Sequence, residues 1–182
     1  MKSSAAIAAL AGGGSALATF LENKTFDLMA LRSASPIHFA PFSAANSSIF
    51  LNLKDQGAKC EGDNHNRATF YLEDGGLFLY SKGGKRQQMF VDRSGMGQGK
   101  MSYLTDNAFP PPHFELKGWA VDKNEDLHFN GSSFLACPGA IQGAWTVWVV
   151  TDNPTPAGNK DCLGLNARTV PNAKPVCCEY SQ

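Results

Sequence analysis

Short runs of apolar residues, each separated from the next by a polar turn, dominate the chain after residue 68. Several runs alternate apolar and polar residues, which is the two-residue period of a β-strand with one buried face. The turns between them are rich in glycine, asparagine and aspartate. No segment after the first 18 residues keeps a helical period, so the pattern predicts an all-β domain. The runs that we predict as strands are residues 69–72, 76–80, 89–92, 100–105, 119–121, 134–136 and 145–151.

A repeat in the spacing of phenylalanines points to a particular all-β fold. Phe26, Phe70 and Phe114 are 44 residues apart, and each is followed two positions later by leucine. Three units of this length, with about four strands each, favour a β-trefoil. The alternative is a two-sheet β-sandwich, because the third strand of the first unit, residues 48–53, comes late in the repeat.

The first 18 residues have the composition of a secretory signal peptide. A positively charged start and a short apolar stretch precede Ala16-Leu17-Ala18, which fits the small-x-small rule for cleavage. Cleavage there leaves a mature chain that begins at Thr19. We expect a single all-β domain over residues 19–151, followed by a loop-rich, disulfide-tied tail over residues 152–182 that packs on the domain.

The five cysteines of a secreted chain predict disulfide bonds, because the extracellular space is oxidising. We expect one bridge between Cys137 and Cys162. Cys60 should pair with one of the adjacent residues Cys177 and Cys178, since neighbouring cysteines cannot easily reach disulfide geometry with each other. Both bridges would tie the tail to the domain. The remaining thiol is either inert or available for an intermolecular disulfide with a partner in the wall or matrix.

Glycosylation motifs and charge agree with an extracellular location. Three sequons begin at Asn23, Asn46 and Asn130. The chain carries 16 basic and 16 acidic residues, which excludes a strongly basic nucleic-acid binder. No apolar run after the signal peptide has the length of a membrane span. We therefore expect neither a nucleic-acid nor a membrane partner.

Residues with the spacing of a catalytic or metal site are scarce. The four histidines lack the H-E-x-x-H spacing, and His65 lies in a polar loop with Glu61 and Asp63, where a solvated loop is a better interpretation than a metal site. Asp122, Glu125 and Asp126 are the candidates for the carboxylate pair of a glycosidase, but they lie in a charged turn. We assign no catalytic residue, no metal and no cofactor.

One tryptophan is a candidate platform for a ligand. Trp119 follows Lys117-Gly118 and is predicted to be exposed, as a ring that stacks on a sugar must be. Trp145, in a segment that is similar to the Q-x-W element of trefoil lectins, belongs to a strand that is apolar on both faces and is expected in the core.

Four blocks of the sequence resemble fungal PhiA-type cell-wall proteins, in the order in which that family has them. The blocks are residues 30–38, residues 83–95, residues 134–138 with the strand at 145–150, and residues 159–164. The resemblance implies an extracellular, wall-associated and glycosylated protein. It also implies a connection with asexual spore development, in phialides and conidia, and with stress protection. It transfers no catalytic residue.

Three hypotheses of function follow, in order of preference. The first is a non-enzymatic protein of the cell wall or matrix, with wall polysaccharide or wall proteins as partners. The second is a secreted binding module, which acts as a lectin, inhibitor or effector on a polysaccharide or on a host or competitor protein. The third is a small secreted hydrolase.

Overall fold

The computed structural model describes residues 24–81, 83–106 and 110–182, and its secondary structure is almost entirely β. The signal peptide that we predict for residues 1–18 lies outside the described residues. Two short 3-10 turns, Ile141–Gly143 and Pro156–Gly158, interrupt the strands. In the described part of the chain, no helix is long and apolar enough to cross a membrane. The strands are β1 Phe26–Leu31, β2 Phe42–Ala45, β3 Ser48–Leu51, β4 Lys59–Cys60, β5 Thr69–Glu73, β6 Gly76–Leu79, β7 Gln87–Asp92, β8 Lys100–Thr105, β9 Phe114–Glu115, β10 Trp119–Val121, β11 Asp126–Phe129, β12 Phe134–Cys137, β13 Trp145–Val149, β14 Leu163–Pro171 and β15 Cys178–Glu179.

Antiparallel pairing closes the main sheet into a barrel. The strand order is β1-β5-β6-β7-β8-β3-β13-β12-β14, and β14 pairs again with β1 from Phe26 opposite Pro171 to Leu31 opposite Asn166. Each strand of this ring therefore has two neighbours, which removes the free edges of an open sheet. Strands β2, β9, β10 and β11 are attached to the ring, and β4 pairs with β15 in a small separate sheet.

Alternation of side chains along the strands builds the core. In β1, Phe26, Leu28 and Ala30 are buried and the residues between them are half-buried. The same period places aromatic rings from distant parts of the chain in one hydrophobic cluster. The largest fully buried aromatic side chains of the described residues are Tyr103, Phe26, Phe42, Phe70, Phe129 and Phe134.

The all-β prediction is confirmed, but the barrel is neither the trefoil nor the sandwich that the spacing suggests. Phe26 and Phe70 do not occupy equivalent places in separate units, since they lie directly opposite each other in the adjacent strands β1 and β5. Phe114 begins the two-residue strand β9, which is attached to β7. The 44-residue spacing therefore has no counterpart in the symmetry of the sheet.

The segment after residue 151 contains a long strand that the sequence pattern does not predict. Its strand β14 has nine residues and pairs with β1, β11 and β12, so it closes the barrel. Near the end of the chain, the Tyr180 side chain is buried and its hydroxyl accepts a hydrogen bond of 3.2 Å from the Thr69 backbone N–H. The segment is therefore part of the barrel and its core.

Candidate functional site

Trp119 lies in the hydrophobic core, so it is not the exposed platform that the sequence suggests. Its side chain is 3% exposed. The ring packs edge-on against Phe129 at a centroid distance of 4.8 Å, and it is stacked near Phe134. The prediction is wrong because β10 pairs with β11 and turns Trp119 and Val121 to the same buried face. Trp145 is half-buried and packs against the same core.

The disulfide bonds have the pattern that we expect from the sequence. One joins Cys137 to Cys162, and the other joins Cys60 to Cys178. The second bond crosses the small sheet, where Cys178 in β15 lies opposite Cys60 in β4. Both bonds are intramolecular, and each ties the segment after residue 151 to an earlier strand or loop. Cys177 is the one free cysteine among the described residues.

The free thiol of Cys177 lies beside a tyrosine. Cys177 is half-buried, and its side chain forms a hydrogen bond with Tyr80. This hydrogen bond is the largest of the effects that raise the pKa of the Tyr80 hydroxyl above its ordinary value. The half-buried thiol therefore lies next to the Tyr80 side chain.

Two of the three sequons lie at exposed turns. Asn46 occupies the tight turn between β2 and β3, where its backbone N–H donates a hydrogen bond of 3.0 Å to the Ser181 hydroxyl oxygen. Asn130 follows β11, and its backbone N–H donates to the Gly118 carbonyl oxygen at 2.7 Å. Both asparagine residues are exposed, so their position is compatible with a glycan. Asn23 lies outside the described residues.

The two aspartates considered for hydrolysis maintain the structure of a turn. Burial acts to raise the pKa of Asp122, but hydrogen bonds from the backbone N–H groups of Asp126 and Asn124 outweigh it and lower the pKa. Asp126 is engaged with Arg168, whose Nε lies 2.7 Å from its carboxylate oxygen. His65 pairs with Asp63 in an exposed loop. The described residues contain no cluster of three or more potential metal ligands.

A groove of about 930 Å³ is present on the barrel, on the side of the sheet that faces away from the main core. Its floor is a row of cross-strand neighbours. Phe78 in β6 lies opposite Gln88 in β7, and Gln88 lies opposite Leu104 in β8. None of these three residues belongs to the main hydrophobic cluster, whereas their strand neighbours Leu77 and Met89 do. The period of two therefore separates the groove from the core.

An aromatic ring forms one wall of the groove. Phe114 is half-buried, and its ring stacks on Phe90 with a centroid distance of 3.9 Å and an interplanar angle of 8°. His113 packs edge-on against Phe114 at 4.9 Å. Phe90 therefore covers one face of the Phe114 ring, and Phe114 also lines the groove.

Ion pairs order the polar side chains around this ring. The Arg86 guanidinium pairs with the Glu73 carboxylate and lies 4.2 Å from the centroid of the Phe78 ring. Arg93 donates two hydrogen bonds to Glu115, of 2.7 Å and 2.5 Å, which raise the pKa of Arg93. These pairs present planar donors and acceptors with largely cancelled charge. The charged residues that line the groove are Glu73, Asp74, Arg86, Asp106, Glu115 and Lys117.

Backbone hydrogen bonds and glycine residues hold the wall of the groove in place. The Gly75 carbonyl oxygen accepts hydrogen bonds from the backbone N–H groups of Gly118 at 3.0 Å and Trp119 at 3.1 Å. Gly76 leaves room for the floor, because a Cβ atom there would lie 2.9 Å from a carbon of the Phe78 ring. Residues 114–119 are thereby fastened to the turn between β5 and β6.

Our sequence interpretation did not find this groove. The groove could have been recognised from large apolar residues, such as Phe78 and Leu104, at alternate strand positions. In a strand with one buried face, these positions point away from the core. Phe114 served only as a marker of the 44-residue spacing. The residues that form the wall are far from the floor in sequence, so a local pattern does not bring them together.

The comparisons with known proteins identify the relatives of this chain. Residues 26–181 match the family described as PhiA-like secreted protein. The protein named cell wall protein phiA of Aspergillus fumigatus is 45% identical over 160 residues, which cover 88% of this chain and 86% of the relative. The protein of that name in Emericella nidulans is 44% identical over 182 residues, covering 100% and 98%. That of Arthroderma benhamiae is 40% identical over 165 residues, covering 87% and 88%.

No solved structure matches the chain. The family match begins at the first residue of β1 and ends after β15, so it includes the whole barrel. The resemblance that the four sequence blocks indicate is therefore confirmed over nearly all of the described chain. The chain belongs to the family of PhiA-like secreted proteins.

Proposed function

We propose that this protein is a non-enzymatic structural component of the fungal cell wall. The observation that carries the proposal is the family match over residues 26–181, together with relatives of 40–45% identity that are named cell wall proteins. The protein is secreted and located at the cell wall. A closed barrel with two disulfide bonds suits that place, because oxidising surroundings preserve the bonds.

The structural roles of Asp122 and Asp126 support the non-enzymatic assignment. Asp122 caps a turn and Asp126 is paired with Arg168. A glycosidase needs one carboxylic acid with a raised pKa, whereas the pKa of Asp122 is lowered. Neither side chain is available for acid catalysis in this arrangement.

Attachment to the wall has two candidate covalent routes. Glycans on the exposed residues Asn46 and Asn130 would project from turns, where they disturb no strand. The Cys177 thiol would form an intermolecular disulfide with a wall protein, since it is only half-buried and has no intramolecular partner in a disulfide. Wall polysaccharide is the expected non-covalent partner.

The resemblance to PhiA-type proteins extends the proposal to asexual spore development and to protection of the wall under stress. In this proposal the protein is deposited in the walls of phialides and conidia. Its contribution there is physical, through a closed barrel with two disulfide bonds, and requires no turnover of a substrate.

The experiment that tests the proposal is fractionation of fungal cells that produce the tagged protein. The medium is compared with washed walls extracted in hot detergent, with and without reductant. We expect most of the protein in the wall fraction of sporulating cells. A Cys177→Ser variant that no longer needs reductant for release would assign the cross-link to this thiol. Recovery of nearly all protein as a free monomer in the medium would refute the wall function.

The groove favours a second candidate, which is a secreted binding module. A site with an aromatic wall and ordered polar groups is the kind of surface with which lectins and inhibitors bind. This candidate predicts saturable binding to a diffusible target and a protein that stays in the medium.

A further inference from the structure

We propose that the groove beside Phe114 binds an uncharged chain of hexose units, with a sugar ring stacked on the face of the Phe114 side chain that is opposite Phe90. The inference rests on the proposed wall function, since it names the class of wall polymer and the place where that polymer is held. Trp119, which the sequence favours for this task, is buried and takes no part.

The stacking surface is rigid. Phe114 is backed by the nearly parallel ring of Phe90, and its strand β9 pairs with β7 through Asp92 opposite Phe114. The C–H edges of a pyranose ring carry a weak positive charge, and the face of an aromatic ring carries a weak negative one. A ring that is already fixed on one face loses little conformational freedom when a sugar covers the other.

The polar groups around the ring match hydroxyl groups. Glu73, Arg86 and Glu115 line the groove and present planar acceptors and donors. They are already ordered, because Glu73 pairs with Arg86 and Glu115 pairs with Arg93. The Gln88 amide in the floor adds one donor and one acceptor function. Sugar hydroxyls act as both donor and acceptor, so each of these groups can bind them without reorganisation.

The charges in the groove favour a neutral ligand over a charged one. Two of the lining carboxylates, those of Glu73 and Glu115, have an arginine partner. The remaining charged residues of the lining are Asp74, Asp106 and Lys117. With Arg93 counted as the partner of Glu115, the groove has four carboxylates and three cations, so its net charge is small. A strongly cationic or anionic polymer requires a surface of one sign. The volume of about 930 Å³ lies within the range of sites for small ligands, so a short segment of the polymer fits.

The test is isothermal titration of the purified, glycosylated protein with three soluble hexamers. Two are neutral, a β-linked glucose hexamer and an N-acetylglucosamine hexamer, and the third is the cationic deacetylated glucosamine hexamer. We expect saturable binding of at least one neutral hexamer, with a dissociation constant that changes less than about twofold between low and high salt. Absence of binding to both neutral hexamers up to roughly 5 mM, or binding to the cationic one alone, overturns the proposal.

A matched pair of variants locates the site. Phe114→Leu keeps an apolar cover on Phe90 but removes the aromatic face, and we expect it to weaken binding at least tenfold. Phe39→Leu is the control, because Phe39 is 61% exposed and stacks on His38 outside the groove. Unchanged thermal unfolding verifies that both variants are folded. Equal binding by the wild type and Phe114→Leu contradicts the assignment to this groove.

The titration and the fractionation have separable outcomes. A protein that is found in the wall but binds none of the hexamers retains the wall function and loses this site. A protein that binds a neutral hexamer through Phe114 but is recovered from the medium retains the site and loses the wall function.

Discussion

Trp119 and Phe114 are five residues apart, and they have opposite roles in the molecule. Trp119 is 3% exposed and packs against Phe129 in the core, whereas Phe114 is half-buried on the outer side of β7. The segment between them passes the turn between β5 and β6, to which Gly118 is hydrogen-bonded. Which aromatic residue is available to a ligand is therefore decided by strand pairing and not by the size or polarity of its sequence neighbours.

The largest difference between the two regions should appear on truncation of each ring. We expect Trp119→Ala to lower the free energy of unfolding by about 3–5 kcal/mol, because it leaves a cavity beside Phe129 and Phe134. Phe114→Ala should cost only about 1 kcal/mol, because the ring is partly in water already. Urea unfolding of both variants measures the two values. Equal losses would show that the Phe114 wall is as much a part of the core as Trp119.

The reason that the sequence misleads at this point also applies to the fold. The strands were predictable where alternation is strong, as in β5 and β8, and the compartment of the protein made the disulfide bonds predictable. Strand β14 was missed because Gly164 and Asn166 interrupt its apolar positions, although Leu165 and Ala167 are buried. Its strand character comes from its pairing with β1, β11 and β12, which are distant in sequence.

The wall of the groove is unpredictable for the same reason. Phe114 becomes a wall only because β9 pairs with β7 and because its ring meets Phe90. The 44-residue spacing included Phe114 with two core residues, Phe26 and Phe70, which are fully buried. Spacing in sequence carries no information about the side of the sheet on which a short attached strand lies.

Alkaline pH should also distinguish the interior from the outer face, with a smaller effect on the free energy of unfolding than the truncation of Trp119. Burial, opposed by the hydrogen bond from Thr69, raises the pKa of Tyr180 to about 12, and burial also raises the pKa of Tyr103. The folded-state pKa of Tyr180 lies above the unfolded value of 10.0. The contribution of Tyr180 to the free energy of unfolding is therefore complete below pH 10, and it is lost as the pH rises towards 12. For Tyr180 the loss is roughly 2–3 kcal/mol.

Unfolding measured between pH 8 and pH 12 checks this expectation. Tyr180→Phe should flatten the alkaline part of the stability curve, although it also removes the acceptor of the Thr69 N–H and lowers stability at neutral pH. Tyr71→Phe is the control from the outer face. Burial raises the pKa of Tyr71, and the positive charge of Arg86 opposes this rise. Identical pH profiles of wild type and Tyr180→Phe would contradict the buried state of Tyr180.

Gly118 connects the two regions, and its substitution should disturb both. Its φ of +123° is strained for any residue with a side chain, and an added Cβ would lie 2.4 Å from the Asn130 side-chain oxygen. We expect Gly118→Ala to lower the free energy of unfolding by about 1–3 kcal/mol. Gly131→Ala is the matched control, since it also has a positive φ but no neighbour within 4 Å of an added Cβ. Thermal unfolding should show the larger loss for Gly118→Ala, and the reverse order would mean that the contact with Asn130 is unimportant.

Arg93 lies between the two regions, and its removal should have the smallest effect on stability. Its guanidinium pairs with Glu115, next to Phe114, and lies 5.3 Å from the centroid of the Phe129 ring, against which Trp119 packs. The ion pair is more than a third exposed, so Arg93→Gln should lower the free energy of unfolding by only about 0.2–1 kcal/mol. The same change releases Glu115 and with it the position of β9, so we expect a severalfold loss of neutral oligosaccharide binding. Titration and unfolding of this one variant therefore separate the two regions. A small loss of stability with weakened binding, as expected, assigns Arg93 to the groove. A large loss of stability with unchanged binding would assign it to the core.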